Sequence, residues 1–299
     1  MVYLKTFHLP SRDEDENFFN VKSSTFNFKN FRTCYTTKYP FGLFREREFP
    51  DNFEFRDITI FCGDNGSGKS TILNIIAEVL NLERKSPFNR SDFFGDYVEL
   101  CRYTLQRPLS LNSAVITSDD VFERVLDIRR INDGIDSKRD DLLQEWVNNR
   151  SGEVDSALHG IDDYERWKKV SDSRSKNMSQ SQFIRKNLMR NIQERSNGES
   201  SLSLFVDAIR DDALYILDEP ENSLSPQNQL QLKYFIEDSV RNHGCQFIVS
   251  THSPFLLSLK GARIYDIDSV PATEKVWTEL ECIKTYHDFF EENSFRFSP

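Results

Sequence analysis

The chain has 299 residues and a formal net charge of −10, with 38% of residues hydrophobic and 29% charged. That length is about two domains' worth, or one large domain with an insertion, and it can bury a core without disulfides or metals. The balance excludes a disordered chain, and the acidity argues against a uniformly basic nucleic-acid binder but not against a local basic face.

No apolar signal segment precedes the acidic run 13–16, and the apolar stretch 247–259 is broken by Ser250, Thr251, His252, Ser253 and Pro254. No bilayer span is expected. Five scattered cysteines (Cys34, Cys62, Cys101, Cys245, Cys282) form no close pair in sequence. Reduced thiols and a cytoplasmic location without membrane association follow as expectations.

In chain order, residues 2–8, 24–31 and 46–55 are rich in Phe, Tyr and Thr and read as β-prone. Ile58–Cys62 is a short apolar strand, followed by Gly63, Asp64, Asn65, Gly66, Ser67, Gly68, Lys69, Ser70 and Thr71. Ile72, Leu73, Ile75, Ile76, Val79 and Leu80 then recur at helical spacing, so a glycine-rich turn between strand and helix is predicted. In the middle, about 82–195, Ser118 reads as the N-cap of a helix with Asp119 and Asp120 in its first turn. Val121, Val125, Ile128, Ile131 and Ile135 continue it, and a charged stretch, 163–191, is interrupted by the Ser-rich run 171–181. This middle reads as a mainly helical insertion with a loose connection. From Leu202 the α/β alternation returns: helix 202–210, strand 214–217, helix 227–240, strand Gln246–Ser250 and a strand near 263–267. The aromatic, acidic end, 274–299, carries no role that its residues reveal.

Gly63-x4-Gly68-Lys69-Ser70 fits the phosphate-binding loop in full, strand before and helix after. The glycines let backbone N–H groups turn toward phosphates, and the helix N-terminus adds a favourable field. Lys69 would reach the β- and γ-phosphates, and the Ser70 hydroxyl would ligate Mg²⁺. An apolar strand running into Asp218 and Glu219 puts both carboxylates at a sheet's C-terminal edge beside such a loop. There Asp218 can hold Mg²⁺, and Glu219 can orient and deprotonate the attacking water. His252, one helix and one strand later, could hydrogen-bond a γ-phosphate or that water. Ser196 reads as an N-cap with Gly198 in the first turn, freeing backbone donors for a phosphate.

Together these four pieces resemble the ATP-binding-cassette (ABC) ATPase superfamily, over about 2–84 and 195–267. Residues 63–70 resemble its Walker A motif, Ser196, Asn197, Gly198 and Glu199 its signature loop, 214–219 its Walker B motif, and His252 its switch histidine. The resemblance implies an α/β P-loop NTPase fold with an N-terminal antiparallel β region and a mainly helical inserted lobe. The expected organisation is a discontinuous ATPase core at 1–84 and 195–285, the lobe at 85–194, and a tail at 286–299. It also implies ATP and Mg²⁺ as ligands. ATP would lie between the phosphate loop of one subunit and the signature loop of another, in a head-to-tail homodimer. Lys69, Glu219 and His252 would carry catalysis, the run 63–71 and Ser196–Glu199 the nucleotide, and Ser70 with Asp218 the metal.

Arg195 and Asn197 replace the usual leucine and first glycine of the signature, and Ser225 stands where transporters have an aspartate. The string 219–226 looks more like the soluble ABC-type ATPases of the RecF, OLD and Septu-like kind, which act in DNA repair and phage defence. An effector protein partner is then expected. A transporter's nucleotide-binding subunit and an ATP-sensing module with little turnover stand as alternatives. Gln106 is the first choice for the family's Q-loop and segment 116–120 the second, with Tyr39 or Phe41 as the aromatic beside adenine. Arg166, Lys168, Lys169, Arg174, Lys176, Arg185, Lys186, Arg190 and Arg195 form a basic run that either contacts nucleic acid or is a solvated face.

Overall fold

A computed structural model describes residues 2–21, 38–44, 48–50, 52–151, 164–174, 179–188 and 197–297. The chain forms two compact units, Met1–Phe122 with Asn197–Pro299, and Glu123–Ser196.

The first unit is built on two sheets. β1 (Leu4–His8) lies between β2 (Asn52–Glu54) and β4 (Arg102–Leu105), antiparallel to both. The larger sheet contains β3 (Ile58–Cys62), β5 (Ala114–Thr117), β6 (Leu214–Asp218), β7 (Gln246–Ser250), β8 (Arg263–Asp266) and β9 (Thr273–Lys275). Its order is β5-β6-β7-β3-β8-β9, parallel except for β9. Helices α2 (Lys69–Val79), α7 (Asn197–Ala208), α8 (Pro226–Asn242) and α10 (Glu281–Glu292) accompany it, with short α3 (Phe94–Leu100) and α9 (Pro254–Leu257). This is the α/β P-loop architecture with an antiparallel β region that the sequence predicts.

Period-two alternation along the central strands explains the layers. Leu214, Ile216 and Ile248 face one side and pack into a cluster with Ile72, Leu73, Ile75 and Ile76 of α2. Tyr215, Leu217, Phe247 and Val249 face the other, with Phe205 of α7 and Leu232 and Ile236 of α8. Each such side chain contributes about 1.5–3 kcal/mol by leaving water. The N-terminal aromatics extend the first cluster: Phe53 meets Phe61 edge-on at 5.4 Å, and Phe61 stacks on Tyr265 at 5.7 Å.

Several elements differ from expectation. Between the β-prone stretches 2–8 and 24–31, residues with no predicted element form a helix, α1 (Arg12–Val21). Ser11 and Glu14 cap it reciprocally, Ser11 N–H donating to Glu14 Oε2 at 2.9 Å and Glu14 N–H to Ser11 Oγ at 3.3 Å. The β-prone segment 24–31 lies outside the described residues. The expected lobe boundary at 85 precedes β4 and β5, both strands of the first unit's sheets. Helix α4 (Ser118–Ser151) is capped one residue early, by Thr117: Asp120 N–H donates to Thr117 Oγ1 at 3.2 Å, and Thr117 N–H to Asp120 Oδ2 at 2.7 Å. Cys62 and Cys282, distant in sequence, bring their Sγ atoms to 3.9 Å.

The second unit is helical among its described residues, with the remainder of α4, α5 (Tyr164–Arg174) and α6 (Gln180–Asn187). It buries Leu142, Val170 and Phe183. Ser179 and Gln182 form a capping box at the start of α6. Within the basic run, Lys169 lies 3.9 Å from Glu145 and Lys186 pairs with Asp172. Lys176, Arg190 and Arg195 and the side chains of Arg166, Arg174 and Arg185 lie outside the described residues.

Candidate functional site

Three parallel strands, β6, β7 and β3, end side by side, and their C-terminal ends carry the site. The loop after β3 needs two left-handed glycines, Gly66 at φ 80° and Gly68 at φ 102°, before α2 starts at Lys69. At Gly63 a Cβ would fall 2.7 Å from Ile267 and 2.9 Å from Ser67 Oγ, so the loop closes tightly there. Lys69 is 3% exposed, and its Nζ donates to Gly63 O at 2.7 Å and Asp64 O at 3.1 Å. The same Nζ is 2.7 Å from His252 Nε2 and 3.5 Å from Glu219 Oε1. Ser67 Oγ is buried with no hydrogen-bond partner. A buried lysine, an orphan hydroxyl and loop amides at a helix N-terminus make a donor set suited to a polyphosphate.

The register pairs Asp218 of β6 with Ser250 of β7. Ser250 Oγ donates to Asp218 Oδ1, and Ser70 Oγ donates to the same oxygen at 3.0 Å. Burial lifts the Asp218 carboxyl above its ordinary range, against those two hydrogen bonds. A hydroxyl and a carboxylate oxygen so placed are hard ligands of the kind Mg²⁺ takes. Glu219 sits in the left-handed region at φ 46°, and its N–H donates to Ser250 O at 3.1 Å and Ser250 Oγ at 3.0 Å. That turn aims the carboxylate back over the strand ends. Its Oε1 lies 3.5 Å from His252 Nε2, and Oε2 accepts from Asn222 Nδ2 at 2.9 Å. His252 above all, with Asn222 and Lys69, holds this carboxyl down at about 2. Glu219 and His252 line an open cleft of about 560 Å³ with Asp64, Asn65 and Asn222.

Lys69, Ser70, Asp218, Glu219 and His252 are therefore brought together. Thr71 turns away, accepting a hydrogen bond from Tyr39 Oη at 3.0 Å. Phe41 is buried and stacks on Phe18 at 4.5 Å, so of the two aromatics only half-buried Tyr39 adjoins the loop. Gln106 is exposed just past β4, and its N–H donates to Tyr3 O at 2.7 Å. Tyr3 N–H in turn donates to the Gln246 side chain at the start of β7, so Gln106 belongs to the opposite end of the strands. Segment 116–120 is the one the sheet brings near, with Thr117 in register with Asp218. Asn197, Gly198 and Glu199 form the first turn of α7, and Ser196 lies outside the described residues.

Sequence reasoning missed four neighbours. Ser250 was legible only as a strand end. Arg84 donates to Asn74 Oδ1 and to Ser86 O and lies within the field of Asp218. Asp268, after β8, accepts from Asp64 N–H at 2.5 Å and is raised by burial. Glu221 accepts hydrogen bonds from the His252 loop.

A family model described as "AAA domain, putative AbiEii toxin, Type IV TA system" matches residues 135–258, less than half of the chain. That span includes Asp218, Glu219 and His252 but not the phosphate loop. The chain is similar to an Smc head domain with an extended coiled coil bound to the C-terminal domain of ScpA, from Pyrococcus furiosus. That likeness has 15% identity and a TM-score of 0.42, covering 98% of this chain and 100% of that one. It is similar to an SMC head domain from Thermotoga maritima at 13% identity and TM-score 0.35, covering 92% and 98%. A dimeric bacterial ABC transporter cassette is similar at 13% identity and TM-score 0.36, covering 77% and 90%. No curated protein sequence gives a significant match. No helix among the described residues is long and apolar enough to cross a membrane.

Proposed function

We propose that this chain, an ABC-type ATPase by its fold and motif set, hydrolyses ATP and uses the cycle to gate an effector in DNA repair or antiviral defence. The observation that carries the reading is the convergence of Lys69, Ser70, Asp218, Glu219 and His252 at three adjacent strand ends. Lys69 and the loop amides would hold the β- and γ-phosphates, with Ser67 Oγ finding a partner there. Ser70 and Asp218 would hold Mg²⁺, which supplies neutralisation of charge on the phosphate oxygens.

Glu219 orients the attacking water and accepts its proton; His252 donates toward the γ-phosphate. In the resting arrangement Glu219 is a weak base, because His252 and Lys69 both face its Oε1. A phosphate that draws Lys69 and His252 to itself removes what holds the carboxyl down, so the base strengthens as the substrate seats. The defence side of the reading draws on the matched family's description, which names an AbiEii toxin of a type IV TA system.

The test is phosphate release. Glu219→Gln keeps the shape and removes the base, so turnover should fall by roughly 100-fold or more while ATP still binds. Unchanged turnover in this variant would sink the assignment of Glu219.

A further inference from the structure

We infer that Glu221 is a positioning residue for His252: its buried carboxylate clamps the backbone of residues 251–253 and so sets where the imidazole meets Lys69 and Glu219. Glu221 lies two residues after Glu219, in the 3-10 turn Pro220–Ser223. Its Oε1 accepts three hydrogen bonds, from Thr251 Oγ1 at 2.7 Å, His252 N–H at 2.5 Å and Ser253 N–H at 3.2 Å. Its Oε2 is buried with no partner. Burial pushes the carboxyl above its usual range, against the donors from His252 and Thr251.

A buried carboxylate with one orphan oxygen is a costly way to turn a loop. A serine or an ordered water would serve a loop that needed only to turn. What the carboxylate adds is grip on main-chain N–H groups, which fixes the His252 peptide whatever its side chain does. A second contact holds the loop from behind: Ser253 Oγ donates to Gln229 Oε1 at 2.7 Å, while Gln229 Nε2 donates to Leu224 O at 3.0 Å. With its peptide held, His252 reaches Lys69 Nζ at 2.7 Å and Glu219 Oε1 at 3.5 Å. A shift of about 1 Å in that peptide would break the geometry, and displacements of that size cost on the order of 100-fold in rate. Glu219 and Glu221 thus divide the work of one short turn: the first faces the cleft, and the second holds the histidine from beneath.

The kinetic consequence rests on the proposed ATP hydrolysis; the clamp itself does not. Without nucleotide, Glu221→Ala should speed hydrogen exchange at the amides of residues 252 and 253 by at least about tenfold. Glu221→Gln keeps an Oε1 acceptor for all three donors and should stay within about threefold of wild type. In turnover, Glu221→Ala should lower kcat by roughly 100-fold with ATP affinity within about threefold, and Glu221→Gln should restore it. Because Glu221 acts through His252, the double variant Glu221→Ala/His252→Ala should be no slower than His252→Ala alone.

Unchanged exchange in Glu221→Ala, a glutamine variant as impaired as the alanine, or multiplying losses in the double variant would each overturn the proposal. Should Glu221→Ala not fold, Glu221→Asp, whose shorter acid cannot reach the three donors, replaces it with the same expectations. If the wild type shows no turnover that Glu219→Gln removes, the hydrolysis reading fails, and the exchange measurements alone decide the clamp.

Discussion

Asp218 and Glu219 are adjacent carboxylates whose surroundings push them in opposite directions. Burial raises Asp218, whereas His252, then Asn222 and Lys69, hold Glu219 at about 2. On acidification Asp218 therefore takes a proton first and Glu219 stays charged. A depressed carboxyl such as Glu219 contributes stability above its unfolded value, lost as pH falls from about 4.5 toward 2; a raised one such as Asp218 works the other way, opposing folding as pH rises. Under the proposed hydrolysis, metal affinity rather than the base is expected to limit the acid side. The apparent Mg²⁺ affinity in an ATPase assay should weaken as pH is lowered toward the carboxylate range, with kcat at saturating Mg²⁺ holding better than the affinity does. A flat Mg²⁺ affinity with collapsing kcat would instead place the acid limit on the base, Glu219.

Among the elements, β7 is joined to the antiparallel sheet by one side chain. Gln246, fully buried, accepts from Tyr3 N–H at 2.7 Å and Leu4 N–H at 2.9 Å, and donates to Leu4 O at 2.9 Å and Arg56 O at 3.0 Å. Gln246→Leu keeps the volume but takes these partners from the main chain of Tyr3, Leu4 and Arg56, so a loss of about 2–5 kcal/mol is expected from urea unfolding. Stability within about 0.5 kcal/mol of wild type would mean that the two sheets do not depend on it.

Nothing in the sequence marks Gln246, because its value lies in partners 190 to 243 residues away. The strand, glycine loop and helix from Ile58 to Val79 were legible because every signal there is local. Helix α1 was also locally written, in the Ser11-x-x-Glu14 cap, but the surrounding Phe and Tyr obscured it. β5 was lost for a different reason: four residues between polar neighbours carry too little pattern until β6 pairs with them. Gln106 shows the same limit at the site, since residue type cannot say which end of a sheet a loop occupies.

For the whole molecule, the sandwich dimer is the expectation with the clearest test. Glu219→Gln should bind ATP and Mg²⁺ without releasing it, and a ligand that binds only the dimer shifts association by mass action. Light scattering should then report a dimer that depends on nucleotide and that Ser196→Arg abolishes; a monomer with ATP bound would remove the sandwich. One feature of the larger sheet bears on how the protein is made. β3, which delivers the phosphate loop, hydrogen-bonds on both sides to strands from the far end of the chain, β7 and β8. The first of them leaves the ribosome roughly 180 residues after β3, which at 5–20 residues per second is on the order of ten to forty seconds of translation. During that interval the loop's sequence exists but its strand has no neighbours, so a nascent chain cut short before residue 250 would carry the whole Walker A pattern and have no pocket to put it in.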